Sequence, residues 1–274
     1  MNKKIGFILV IVLVSLMMLG SVSAGLFDFM GGNNANKTQN DESTFIVGFD
    51  AEFPPYGYKD DNGSYVGFDL DLAKEVCKRN NWTFVAQPID WDAKDAEIDS
   101  GSIDCIWNGF TMDGREKDYT WSDPYFDNKQ VFVVKSDSGI NSISGLKDKI
   151  VETQKDSSAL AALQGGNKTI ADTFKTLNQV ADYNTAFMDL ESGVCDAVAM
   201  DSGVAEYQIH QKNGTSFSIL NESMTTEKYG IGFKNGNTDL RDKVQKTLDE
   251  MFADGTVKEI ASKYGISEDA LIHK

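Results

Sequence analysis

KQVFVVK, Lys129 to Lys135, and YGIGF, Tyr229 to Phe233, are the two stretches on which the architecture turns. Each is a short apolar run rich in β-branched or aromatic residues, and each reads as a buried strand. Upstream of the first, strands and helices alternate. A strand over 45–50 (FIVGFD) precedes a helix over 68–79, where Phe68, Leu72 and Val76 form one row with Ala73 and Cys77 beside it. A strand over 83–89, a helix near 92–100 and a strand over 104–110 follow. The alternation restarts downstream with strands over 149–154, 174–180 and 197–201 and helices over 157–164, 183–191 and 203–211. The chain closes in helices with a stripe of Leu240, Val244, Leu248, Met251 and Phe252. Two β-α-β-α-β runs predict two mostly parallel α/β sheets. The two apolar strands bracket the second run, so one unit is inserted into the other and joined to it twice. Two connecting strands make a hinge, and the cleft between the lobes is the natural ligand site. The expected bounds are 44–133 with 231–274 for lobe 1, and 134–230 for lobe 2.

Ahead of the lobes, Asn2-Lys3-Lys4, the apolar run Ile5 to Leu19 and Val22-Ser23-Ala24 read as a secretory signal over 1–24, with an uncleaved anchor as the alternative. Residues 25–43, rich in Gly, Asn, Thr and Asp, read as a flexible linker. The formal charge of −16 argues against nucleic acid or anionic lipid as partners. Cys77, Cys105 and Cys195 lie in apolar patterns and read as buried packing residues. Six Asn-x-Ser/Thr sequons, starting at Asn36, Asn62, Asn81, Asn167, Asn213 and Asn221, give weak support for an exported surface. The stretch KDDNGSY reads as a hairpin turn, because the glutamate that would close a calcium loop is missing.

Ligands of parallel α/β sheets bind beyond the carboxyl ends of strands. After the first strand come Asp50, Glu52 and Phe53, and after the second Trp91. After the third come Asn108, Gly109 and Thr111, and then Arg115, in a stretch (WNGFTMDGREK) that reads as the start of a short helix with Asp113 as N-cap. In the second run Gln154, Ser157 and Ser158 follow one strand, and Asp201 ends another. Arg115 can clamp a carboxylate through two parallel hydrogen bonds, with Ser157 and Ser158 adding donors. Asp201, with Asp50, can pair with an ammonium, and the Gly109 carbonyl and Thr111 hydroxyl can complete its hydrogen bonds. Phe53 can lie along an apolar or planar side chain. A free α-amino acid presents this combination of charges. Taken singly, each residue has a plainer use, Arg115 as a solvated surface charge and Ser157, Ser158 and Asp201 as helix caps.

The blocks DAEFPPYGYKDDNGSYVGFD, YVGFDLDLAKEV, GSIDCIWNGFTMDGREK, YTWSDPY and GVCDAVAMDSGVAEY resemble, in order, those of the family 3 extracellular solute-binding proteins of polar amino-acid ABC importers. The resemblance covers about residues 44 to 265 and implies the two-lobed periplasmic-binding-protein fold, type II. By position it implies Arg115 as the carboxylate-binding arginine and Asp201 as the ammonium-binding aspartate. Thr111 and Gly109 match polar contacts, Phe53 the stacking aromatic and Asp50 the acid after the first strand. QKDSSA matches the second-lobe loop, with Asp156 where the family usually has Gly, so a negative charge stands near the carboxylate site unless Asp156 turns outward to cap the helix.

The implied function is capture of a free amino acid, polar or cationic given Asp50 and Glu52, and its delivery as a monomer to the membrane permease of an ABC importer. No cofactor or metal is expected: His210 and His273 sit in polar contexts away from strand ends, and no metal-spaced set or Gly-x-Ser-x-Gly occurs. One alternative is a dehydratase-like enzyme on the same fold with Glu52 as acid. Another is a sensor domain held by an uncleaved N-terminal helix.

Overall fold

The computed structural model describes residues 44–212 and 214–273. The expected signal and linker, and the sequons at Asn36 and Asn213, lie outside the described residues. In chain order the elements are β1 (Thr44–Phe49), β2 (Glu52–Phe53), β3 (Gly57–Lys59), β4 (Tyr65–Val66), α1 (Phe68–Asn80), β5 (Thr83–Pro88), α2 (Lys94–Ser100), β6 (Cys105–Ile106), β7 (Thr120–Trp121) and β8 (Phe126–Lys135). They continue with β9 (Ile150–Gln154), α3 (Ser158–Gln164), α4 (Lys168–Ala171), β10 (Thr176–Val180), α5 (Tyr183–Ser192), β11 (Ala197–Asp201) and α6 (Ser202–Gln211). The last are β12 (Phe217–Ile219), β13 (Thr225–Tyr229), β14 (Gly232–Phe233), α7 (Thr238–Ala253) and α8 (Thr256–Lys263).

The first large sheet has the order β5-β1-β6-β14-β7 and the second β10-β9-β11-β8-β12, with β13 also on β8. Each holds three parallel strands wound identically, the first strand of the run in the middle, followed by antiparallel strands. Both sheets are therefore mixed rather than mostly parallel, because the returning strands β14 and β8 enter antiparallel. In such a winding the crossovers leave on opposite sides of the central strand, and a crevice opens beyond its carboxyl end. β1 and β9 occupy these positions and aim their following loops at each other.

The two connecting stretches differ from the sequence reading. β8 pairs along its whole length within the second sheet, with Phe126 opposite Tyr229 and Lys135 opposite Phe217. YGIGF is not one strand: Tyr229 ends β13 in the second sheet and Gly232 opens β14 in the first. The chain thus crosses between sheets at 122–125 and at 230–231. Glycine at 230 has a steric reason, since a Cβ there would meet Met112 Sδ at 2.6 Å.

The core follows the periodicities. Phe68, Leu72, Ala73, Val76 and Cys77 on α1, and Val244, Leu248 and Met251 on α7, are buried against the first sheet with Phe45, Val47 and Phe49. Each fully buried side chain of this size contributes about 1.5–3 kcal/mol. The three cysteines are free and buried. Among the described residues no helix is long and apolar enough to cross a membrane.

Candidate functional site

The loops beyond β1, β6, β9 and β11 converge. Phe53, Trp91, Asn108, Gly109, Thr111 and Arg115 from the first lobe, and Gln154, Ser157, Ser158 and Asp201 from the second, line one pocket. Its walls nearly meet, leaving a cavity of ≈ 10 Å³, about enough for one water. Asp50 lies just behind the lining, buried, and receives Gln154 Nε2 at 2.6 Å from the facing lobe. Burial pushes its carboxyl up to about 6, against hydrogen bonds from the Glu52 amide and Gln154. Glu52 is exposed and takes the Asn184 side chain of the second lobe.

Arg115 does not open a helix. Residues 113–118 form consecutive turns, with the Arg115 amide on the Met112 carbonyl and Asp118 on that of Arg115. Gly114 at φ 81° suits the sharp reversal better than a helical first turn. Asp113 caps nothing; its carboxylate accepts the Lys228 amide at 2.7 Å and pins the loop to β13. The guanidinium lies 5.3 Å over the Phe110 ring, donates from Nη1 to the Thr111 carbonyl at 3.2 Å and from Nη2 to the Asp156 carbonyl at 3.1 Å. Two of its five N–H donors are used in this way, and the remainder are free for a planar anion.

Asp156 takes the left-handed conformation that its family-typical glycine would, with φ 56°. Its side chain neither caps α3 nor faces the guanidinium but meets Lys94 of the first lobe. Ser157 is the cap, its Oγ accepting the Leu160 amide at 3.1 Å. Ser158 turns the other way, its Oγ accepting from Gln130 at 2.8 Å and donating to Glu227 at 3.3 Å, so its side chain joins the Asp201 and Glu227 cluster rather than Arg115.

Asp201 stands at the N-cap position of α6, yet its side chain makes no cap bond. Its Oδ1 accepts Asn128 Nδ2 at 2.7 Å, Gln130 Nε2 at 2.7 Å and Tyr229 Oη at 2.6 Å. Beside it Glu227 Oε1 accepts the same two amides at 2.8 and 2.7 Å and the Thr111 hydroxyl at 2.9 Å. Burial, and next the Glu227 charge, push the Asp201 carboxyl up to about 8. Below this cluster Asp69, from the first turn of α1, accepts the Gly109 amide at 2.6 Å and the Tyr125 hydroxyl at 2.8 Å, holding Gly109 at φ 54°. Asn128, Gln130 and Glu227 lie mid-strand and Asp69 in a helix, away from the strand ends beyond which ligands of such sheets bind. The strand period of two puts Asn128 and Gln130 on the buried face with Phe126, and Glu227 on that with Tyr229, and this shared register with an aromatic is the signal that marks the first three.

Opposite charges from two wound sheets on one pocket agree with the match of residues 45–267 to the model of the bacterial extracellular solute-binding proteins, family 3. The chain belongs to that family. Among relatives of this family 3 protein, the L-cystine-binding protein TcyJ of Escherichia coli (strain K12) is 28% identical over 231 residues, covering 82% of this chain and 83% of that protein. The histidine-binding periplasmic protein of the same strain is 30% identical over 234 residues, covering 80% and 86%. An ABC uptake transporter substrate-binding protein from Streptococcus pneumoniae, solved with bound histidine, superposes with a TM-score of 0.80 at 32% identity, covering 84% of this family 3 protein and 95% of that chain.

Proposed function

We propose that this protein captures a free amino acid outside the cytoplasm and delivers it, as a monomer, to the membrane permease of an ABC importer. The observation that carries the reading is that Arg115 of one lobe and Asp201 of the other line the same pocket. Burying a zwitterion costs several kcal/mol per ion unless each end is matched, and the two ends need opposite partners. Arg115 holds the α-carboxylate, while Asp201, Thr111 and the Gly109 carbonyl receive the α-ammonium. Phe53 and Trp91 flank the side chain, and Asp50 and Glu52 favour a polar or cationic one. The cystine, histidine and amino-acid relatives support this class, and the binding role of the family supports capture rather than turnover.

The lobes divide, on this reading, at 122–125 and 230–231, where the chain changes sheet. An amino acid enters with the lobes apart and replaces side-chain contacts that here span the cleft, such as Gln154 to Asp50. To move the lobes from 1:99 to 99:1 closed, the ligand must favour the closed form about 10⁴-fold, which a charge pair on each lobe is able to supply. The test is a thermal-shift screen of the twenty amino acids with cystine and ornithine, followed by calorimetry. Stabilisation by one or a few of them is the expected result. Stabilisation by none, with the protein folded, sinks the assignment.

A further inference from the structure

We infer that Glu227 is part of the amino-acid site, and that in the free protein its charge, set against that of Asp201 on shared donors, keeps a proton on Asp201 that passes to solvent when the ligand's ammonium arrives. This rests on the reading of the pocket given above.

The geometry is that of two carboxylates sharing one set of donors. Asn128 Nδ2 and Gln130 Nε2 each reach both Asp201 Oδ1 and Glu227 Oε1, at 2.7–2.8 Å. Both acids are buried, at 3% and 5% exposure. The titratable groups facing them are the hydroxyls of Tyr229 on β13, Tyr183 on α5 and Tyr56 after β2, all held in the neutral form by burial. The nearby cation on the pocket wall is Arg115, whose guanidinium meets the Thr111 and Asp156 carbonyls and the Phe110 ring. No lysine or arginine of the described residues pairs with either acid. Two adjacent negative charges in such surroundings cannot both ionise readily, and one proton relieves them. An ammonium does the same. The Thr111 hydroxyl, committed as donor to Glu227, turns its lone pairs outward and is able to accept from that ammonium. The exchange balances: one H⁺ leaves a carboxyl oxygen for the buffer, the ammonium keeps its three hydrogens, and the net charge of the site is unchanged. The raised Asp201 carboxyl fits a proton held in the free protein at neutral pH.

The test is calorimetry at pH 6, 7 and 8 in two buffers of different ionisation enthalpy. Each proteinogenic L-amino acid is used except histidine and cysteine, whose side chains titrate in this range. At pH 7, binding is expected to release about one proton, and affinity is expected to rise by up to about tenfold per pH unit between 6 and 8. Glu227→Gln is expected to lessen both the release at pH 7 and the pH dependence, burial alone still acting on Asp201. Binding without proton release by the unmodified protein overturns the inference and leaves the amino-acid site standing, as does equal release by Glu227→Gln. Heat from none of these, nor from histidine, cysteine, cystine or ornithine, overturns the site and the inference together. The count on the unmodified protein decides the matter even where the variant fails to fold.

Discussion

Lys94, at the start of α2 in the first lobe, ends on the carboxylate of Asp156 in the second, and its side chain is 2% exposed where it does so. The ammonium also lies 5.2 Å over the Trp91 ring and 3.5 Å from the Trp91 carbonyl. Nearby, Lys155 and Asp92 pair across the same gap at 2.7 Å, but both are well exposed and contribute little. Asp156 thus joins the second lobe to the first through a charge pair. Removing its carboxylate leaves a buried ammonium unpaired in the closed form only.

Asp156→Gly tests this latch cleanly, because glycine accepts φ 56° without strain. The variant is expected to keep its melting temperature without ligand and to release amino acid about tenfold faster, discounting for the half-exposed carboxylate. Stopped-flow displacement reads the rate. An unchanged rate means that Lys94 and Asp156 do not hold the closed form.

Arg115→Lys keeps the positive charge and loses the planar fork. Affinity is expected to fall by on the order of a hundredfold, and Arg115→Ala by more, with far-UV circular dichroism unchanged. Calorimetry at near-parent affinity for the lysine variant would mean that the carboxylate is held elsewhere.

Gly109→Ala brings a Cβ to 2.8 Å from Phe53 Cε1 and 3.1 Å from the Tyr229 ring, at a φ of 54° that alanine resists. Strain and ring displacement together are expected to destabilise the protein by about 1–3 kcal/mol and to lower affinity as Phe53 shifts. Denaturant titration with calorimetry on the same sample measures both, and a neutral result on both counts would contradict the packing described.

Asp69, which holds the pocket residue Gly109 from below, gives a pH dependence of stability of its own. Burial pushes its carboxyl up to about 7, against hydrogen bonds from the Gly109 amide and Tyr125. The folded chain therefore binds this proton more tightly than the unfolded one. The stabilisation is complete below the ordinary carboxylate value near 4 and is lost as pH rises through about 7. Between pH 5 and 8 this amounts to roughly 2 kcal/mol, or about 5 °C. Carboxylates lowered by ion pairs, such as Asp71 and Asp254, have spent their opposite effect below this window. Asp69→Asn should melt lower overall and show a flatter pH profile. A profile as steep as the parent's assigns the slope to other groups.

The residues legible in the sequence share a position. Phe53, Gly109, Thr111, Arg115 and Asp201 follow strands of a β-α-β pattern, and the winding of such sheets sends those loops to one crevice. Glu227, Asn128 and Gln130 reach Asp201, Thr111 and Ser158 behind that crevice from inside strands, where sequence gives the alternation of faces but not what a face looks upon. Asp69 resembles an ordinary acidic residue in a helical first turn, and only the approach of Gly109 and Tyr125, 40 and 56 positions away, makes it a buried acceptor. The split of YGIGF into two strands was hidden for a related reason. Its apolar run continues unbroken while the partners change from β8 to β6 and β7.

β8 and β13 run up to the two points where the chain passes between lobes, and Phe126 stacks on Tyr229 there with ring centroids 5.4 Å apart. The same pair of strands carries Asn128, Gln130, Glu227 and Tyr229, the groups that surround Asp201. With the proposed function, ligand reading and lobe mechanics run through shared backbone. An engineer who retunes selectivity at these positions, or at Phe53, through Tyr56, also acts on the joint, whereas Trp91 packs on Phe110 and Lys94 away from it.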